Sequence, residues 1–243
     1  KATKIIPFIE KCDKRYLFTV RWGIKTETGD SEGKVIKEIN IYPNKIDIVK
    51  ALNKFIGNVE QFPHKYSSVK INGQRAHKLA RKNMKFQLKK RQVKVNNFRL
   101  INNISEKLAS FFVDCSAGTY VRSLAESLGE SLGTLASVVE LRRIGFNNFN
   151  KKLISLDYLL SLVHSDELKR LVHPIDAVMN NVLKIQLDYS QVKRVLSGSF
   201  VQMDKQSMIT NKNKVVLAKY EDNYIALGLI KDNTFHPKKL LIS

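Results

Sequence analysis

The segment from Leu108 to Gly133 carries two hydrophobic periods back to back. Leu108 to Cys115 (LASFFVDC) is dense in apolar and aromatic residues and reads as a strand. Gly118 to Gly133 then places Val121, Leu124, Ala125, Leu128 and Leu132 at helical spacing, and Gly133 is a natural stop. A strand feeding straight into an amphipathic helix asks for a sheet with helices packed against it.

The rest of the chain fits that frame. Tyr16 to Lys25 (YLFTVRWGIK) reads as a strand, followed by a polar loop from Thr28 to Gly33. Asn44 is an N-cap candidate for a helix with Ile46, Val49, Leu52 and Ile56 on one face, ending near Gly57. Val93–Val95 and Phe98–Leu100 form a strand that meets Leu108–Cys115 across a polar turn at Asn102-Asn103. Val138 to Ile144 returns to strand, and helical turns follow at Leu156–Val163, Glu167–Leu171 and Pro174-Ile175-Asp176. After Asn180-Asn181 the texture changes. Val182–Leu187, Val215–Tyr220 and Tyr224–Ile230 are short strand-like runs, with one helix over Ser190–Leu196 that ends at Gly198. The reading is α+β: a mixed, largely antiparallel sheet with flanking helices, plus a small β-rich C-terminal module over 182–243. A length of 243 residues accommodates one large and one small domain.

Charge points to a polyanionic partner. Lys and Arg number 42 against 22 Asp and Glu, a net charge of +20. Nucleic acid is the first candidate and an anionic membrane surface the second; a Lys-, Asn- and Ile-rich composition is the bland alternative. Distribution decides between them, because Gln61 to Ser105 holds 12 Lys and Arg and no Asp or Glu. No apolar run approaches the roughly 20 residues of a membrane span, and Lys1-Ala2-Thr3-Lys4 opens no secretory signal. Cys12 and Cys115 lack CxxC spacing and suggest reduced thiols in the cytoplasm. His64, His77, His164, His173 and His236 form no close metal-ligand pair, so no metal site is expected.

Three segments could carry chemistry: Asp13–Tyr16 with the loop Thr26–Gly33, then Gln61–Arg81, then Cys115–Arg122 with Leu141-Arg142-Arg143. The second interleaves Phe62, Tyr66 and His77 with Lys65, Lys70, Arg75, Lys78 and Arg81. Cations hold phosphates and flat rings stack on bases, although a solvated loop with a helical end would look the same. Pro63 and Gly73 keep the segment from being one helix. Arg122 leans inward beside Val121 and asks for a carboxylate. A surface role, or structural pairing with Asp114 or Glu126, is the plainer alternative. Tyr16 alone reads as a core or edge aromatic.

Taken in order, these segments resemble the tRNA pseudouridine-55 synthase family of the bacterial TruB type, from residue 1 to about 180 and more weakly beyond. The residues that carry the resemblance are Ala2-Thr3-Lys4, Lys14-Arg15-Tyr16, Thr26 through Gly33, Tyr66 through Arg81, Cys115 through Arg122, and Leu141-Arg142-Arg143. The resemblance implies a pseudouridine-synthase domain over 1–181, with a basic insertion at about 63–92 that clasps the T-arm of tRNA, and a PUA-like RNA-binding module over 182–243. It implies isomerisation of uridine to pseudouridine at position 55, without metal or organic cofactor, by a cytoplasmic monomer whose partner is tRNA. Tyr16 matches the tyrosine that stacks on the flipped uracil, and Arg122 the arginine that pairs with the catalytic aspartate. Lys65, Tyr66, Lys70, Arg75, His77, Arg81, Tyr120, Arg142 and Arg143 are the RNA-binding candidates.

Two departures accompany the match. The family's aspartate lies in a GHxGTLDP motif ahead of the ATK stretch; no GTLDP occurs in residues 1–243, and the missing segment is expected upstream of Lys1. Asp13, Asp30 and Asp114 lie in other motifs of the family, so the catalytic role passes to none of them. His77 stands where relatives often carry tyrosine. The alternatives are a non-catalytic tRNA-binding protein or tRNA-folding chaperone, and a ribosome-associated basic protein without a pocket.

Overall fold

The computed structural model describes residues 2–9, 12–146, 154–179, 182–203 and 215–242. The chain forms two compact units, Lys11–Leu153 and Lys1–Glu10 together with Ile154–Ser243. That division falls ahead of the change in texture at 181–182.

The unit Lys11–Leu153 holds β1 (Lys14–Trp22), β2 (Ile24–Thr26), β3 (Val35–Glu38), α1 (Lys45–Leu52), β4 (Gly57–Gln61), β5 (Lys70–Ile71), β6 (Gln74–Arg75), α2 (Ala76–Arg81), β7 (Arg91–Ser105), β8 (Leu108–Cys115), α3 (Val121–Ser131) and β9 (Ala136–Phe146). Five of the strands form an antiparallel sheet in the order β4-β7-β8-β1-β9. Strand β8 spans the residues expected of it, and its burial alternates strictly: Ala109, Phe111, Val113 and Cys115 are fully buried. Period-two burial is what one packed face requires. Across the ladder Phe18 stacks on Phe111 with ring centroids 5.5 Å apart, and Trp22 meets Phe111 edge-on at 6.0 Å. Each such side chain contributes roughly 2–3 kcal/mol through burial. Helix α3 lays Val121, Leu124, Ala125 and Leu128 against this face. Gly129 allows the helix to run so close to β9 that an added Cβ would stand 2.8 Å from that of Ala136.

Three expectations change. The strand from Tyr16 to Lys25 breaks at Gly23 (φ +77°), where the backbone bonds Leu135 O and Ile39 N at 2.8 Å each and β2 departs to pair with β3. Helix α1 is capped by Asn44 as read, but it ends at Leu52 and buries Ile48, Ala51 and Leu52. Ile46, Val49 and Ile56 are exposed. The stripe Ile48, Ala51, Leu52 and Phe55 has the same helical spacing, and it brings Phe55 to Phe98 at 6.3 Å, so the larger aromatic contact sets the face. The turn is not at Asn102-Asn103, which pair with Ser110 and Ala109; β7 runs on to Ser105 with bulges, so the ladder overrides the turn preference of asparagine.

The second unit contains α4 (Leu156–Ser161), α5 (Glu167–Leu171), β10 (Leu183–Gln186), α6 (Tyr189–Leu196), β11 (Val201–Gln202), β12 (Val215–Tyr220), β13 (Asn223–Lys231) and β14 (Thr234–Leu240). Its sheet runs β10-β12-β13-β14-β11, with β10 parallel to β12. Asp188 and Gln191 close a reciprocal capping box on α6. Strand β14 contains Pro237, which argues against a strand in sequence; the ladder shifts register between Leu227 and Gly228, where Pro237 pairs with Gly228. The 3-10 segment Ala2–Phe8 belongs here, with Ile5 buried in a cluster with Met179, Leu217, Leu227 and Leu241. The architecture is α+β with an antiparallel main sheet and a β-rich C-terminal module. Among the described residues no helix is long and apolar enough to cross a membrane.

Candidate active site and RNA-facing surface

The N-terminus of α3 is fixed by a buried amide. Gln61 accepts the Tyr120 N–H at 2.8 Å and donates to the Tyr120 carbonyl at 3.0 Å. Tyr120 itself is the N-cap and offers no side-chain cap, so Gln61 takes over part of that work from the end of β4. Arg122 follows in the first turn. Its Nη1 donates to Thr28 O and to Asp30 Oδ2, both at 2.8 Å, and its Nη2 donates to Tyr66 O at 3.0 Å. One guanidinium thereby joins the Thr26–Gly33 loop to the loop after β4. The carboxylate it asked for is Asp30 and neither Asp114 nor Glu126: Asp114 accepts from Asn96 at 3.4 Å, and Glu126 faces His64 at 3.7 Å.

The Asp30 loop is built to present that carboxylate. Thr28 Oγ1 and the Glu32 N–H both donate to Asp30 Oδ1, and Thr26 Oγ1 donates to the Asp30 carbonyl at 2.8 Å. Gly29 takes φ +71° and accepts the Val138 N–H at 3.0 Å, which ties the loop to β9. The polar, glycine-bounded composition is what such a turn needs.

Tyr16 lies on β1 between Val113 of β8 and Arg143 of β9, and packs on the core cluster that includes Val121. Burial pushes its phenol pKa up, the Cys115 thiolate would push it further, and the adjacent Arg143 opposes both. Tyr16 therefore stays a neutral hydroxyl at physiological pH. Arg142 and Arg143 are exposed on β9, Arg143 with its guanidinium 6.0 Å from the Phe146 ring centre.

The basic segment is more divided than its composition suggests. Lys70 and Arg75 are exposed, paired across a β5–β6 hairpin that turns on Asn72 (φ +47°) and Gly73 (φ +83°). Arg81 and Lys65 are exposed as well. His77 instead folds back, with its N–H and Nδ1 each 3.0 Å from Ser67 O. The Tyr66 ring is also engaged: its hydroxyl bonds Glu27, which raises its pKa, and Lys65 Nζ sits 5.2 Å from its centre. Buried His64 was not singled out in the sequence, nor was Gln61 for its clamp. Glu27, Glu60, Phe62, His64 and Glu126 line a cavity of about 750 Å³ beside α3. A histidine within an acid-free basic run gave no signal that it is inward-facing.

Comparison with known proteins places the chain in a family. Residues 1–121 match the model of the TruB family pseudouridylate synthase N-terminal domain, and residues 122–180 that of the tRNA pseudouridylate synthase B C-terminal domain. The tRNA pseudouridine synthase B of Clostridium kluyveri is 34% identical over 244 residues, covering 100% of this chain and 83% of that one. That of Aquifex aeolicus is 34% identical over 246 residues with the same coverage of both chains. Among solved structures, a Cbf5-Nop10-Gar1 complex contains a chain with a TM-score of 0.66 at 19% identity, covering 99% of this chain and 70% of that one, which speaks for the fold. On these matches the chain belongs to the tRNA pseudouridine synthase B family, and is by family an RNA-modifying isomerase.

Proposed function

We propose that this chain is the part of a tRNA pseudouridine-55 synthase that presents the T-arm uridine to Tyr16 and Arg122, acting as a cytoplasmic monomer without metal or organic cofactor. The observation that carries the reading is Arg122: a partly buried guanidinium, already satisfied by Asp30 and two carbonyls through Nη1 and Nη2. Among the described hydrogen bonds Nε takes no part, so a face of the guanidinium remains to orient a second carboxylate and keep it ionised. In this reading the reacting aspartate is none of Asp13, Asp30 and Asp114. Asp13 and Asp114 both accept from Asn96, and Asp30 is spent on Arg122. Tyr16 stacks on the extruded uracil as a neutral phenol, a state that its raised pKa favours.

The RNA-facing surface runs over Lys65, Lys70, Arg75 and Arg81, joined by Arg142 and Arg143; these side chains are exposed. They hold phosphates and give affinity that depends on salt. Tyr66, His77 and Tyr120 shape the backbone of that surface, since each is tied into it by the bonds described above. The module of β10–β14 is proposed as PUA-like and RNA-binding.

Tritium release from tRNA labelled in uracil tests the reading. The full-length protein that contains this chain should release tritium from position 55 only. Turnover by residues 1–243 alone would refute the placement of the acid outside them. Binding without turnover by the full-length protein would favour a tRNA chaperone.

A further inference from the structure

We propose that His64 is a positioning residue for the isomerisation: its Nδ1 accepts the Tyr66 N–H and thereby holds the Tyr66 carbonyl on Arg122. The inference rests on the role proposed for Arg122 above.

His64 is only 6% exposed, and the Tyr66 N–H donates to its Nδ1 at 3.2 Å. An Nδ1 that accepts carries no proton, so the neutral ring keeps its hydrogen on Nε2. Nε2 faces Glu126 Oε1 at 3.7 Å, beyond hydrogen-bond reach. The same residue, Tyr66, presents its carbonyl to Arg122 Nη2 at 3.0 Å. Its ring is anchored at the other end by the hydroxyl on Glu27. The imidazole also backs the second loop. A Cβ on Gly29 would lie 2.9 Å from His64 Nε2, and Gly29 precedes Asp30, the carboxylate partner of Arg122. His64 is thus wedged between both loops that fix the guanidinium. An apolar side chain of similar size would fill the space and leave the Tyr66 N–H without its acceptor.

The test uses the full-length protein, with tritium release and tRNA filter binding measured side by side. His64→Leu should lower kcat by about tenfold, the cost of one positioning bond, and leave tRNA affinity within about twofold. His64→Asn places Oδ1 near the position of Nδ1, where it accepts the same N–H. It should keep kcat within about twofold of the parent. A His64→Leu protein with unchanged kcat, or a His64→Asn protein that loses about tenfold in kcat, overturns the proposal. Should His64→Leu fail to fold, the kcat of His64→Asn still decides. Arg122→Ala separates the two levels: full turnover there sinks the role of Arg122, whereas loss there with an intact His64→Leu protein sinks His64 alone.

Discussion

Arg122 binds two backbone carbonyls and one carboxylate, and each acceptor makes a different demand on it. A planar fork meets all of them at once; an ammonium meets one or two. In the full-length protein, Arg122→Ala should cut turnover by roughly 10²-fold or more, with tRNA affinity changed only a few-fold. Arg122→Lys should recover little of it. Parallel tritium-release and filter-binding assays check both, and equal losses in turnover and affinity would count against the assignment. Cys115 makes a second residue-level case. Burial pushes its thiol pKa up to about 11 from an ordinary 9.0. The folded protein therefore holds a proton that the unfolded chain releases, and stability is complete below pH 9 and lost as pH rises toward 11. The loss is on the order of 2–3 kcal/mol. Urea melts at pH 8 and 10.5 should show it, and Cys115→Ala should reduce the difference. At pH 8 the Cys115 thiol should also resist alkylation in the native state.

At the scale of elements, the β5–β6 hairpin and α2 place Lys70 and Arg81 in solvent while Leu79 and Ala80 are buried beneath. Replacing Lys70 and Arg81 with Gln should weaken tRNA binding and lower the log-log salt slope by about 1 for each lost phosphate contact. An unchanged slope would remove them from the interface. The elements themselves were largely readable: β8, α3 and β12 stand where they were read, and α3 buries the stripe Val121, Leu124, Ala125 and Leu128. Helix α1 was readable as a helix but not by its face, because it has two apolar stripes and only tertiary contact with Phe98 chooses between them. Strand β14 stayed hidden behind Pro237, whose lost donor matters less where the ladder shifts register. The site divides in the same way. Arg122 announced its need for a carboxylate, yet Asp30 lies 92 positions away, and the pairing depends on a loop tied to β9. Tyr66 and His77 read as base-stacking rings; the structure adds a bond from the Tyr66 hydroxyl to Glu27 and one between His77 Nδ1 and Ser67 O, a matter of loop geometry that composition does not encode.

For the molecule as a whole, a net charge of +20 and the division into two units set the behaviour. Ile5→Ala should destabilise the unit that contains the C-terminal sheet by about 2–4 kcal/mol, as for other buried Ile side chains. Hydrogen exchange should then quicken in β12 and β13, and β8 should keep its protection. Uniform loss across both sheets would mean that the units do not unfold separately. The burial of Ile5 has a further consequence for biosynthesis. Ile5 packs on Leu217, Leu227 and Leu241, and Lys4 donates to Leu240 O at 3.1 Å. On a translating ribosome Ile5 and Phe8 emerge before β12 to β14 exist and then wait, their apolar side chains bare, until residues 217–241 have been made. Among the described residues the sheet around Phe111 draws on nothing later than β9, so it can close while the nascent chain is still growing. A factor that shields short apolar peptides at the tunnel exit would therefore find a target at Ile5 and Phe8 for as long as those later strands are unmade.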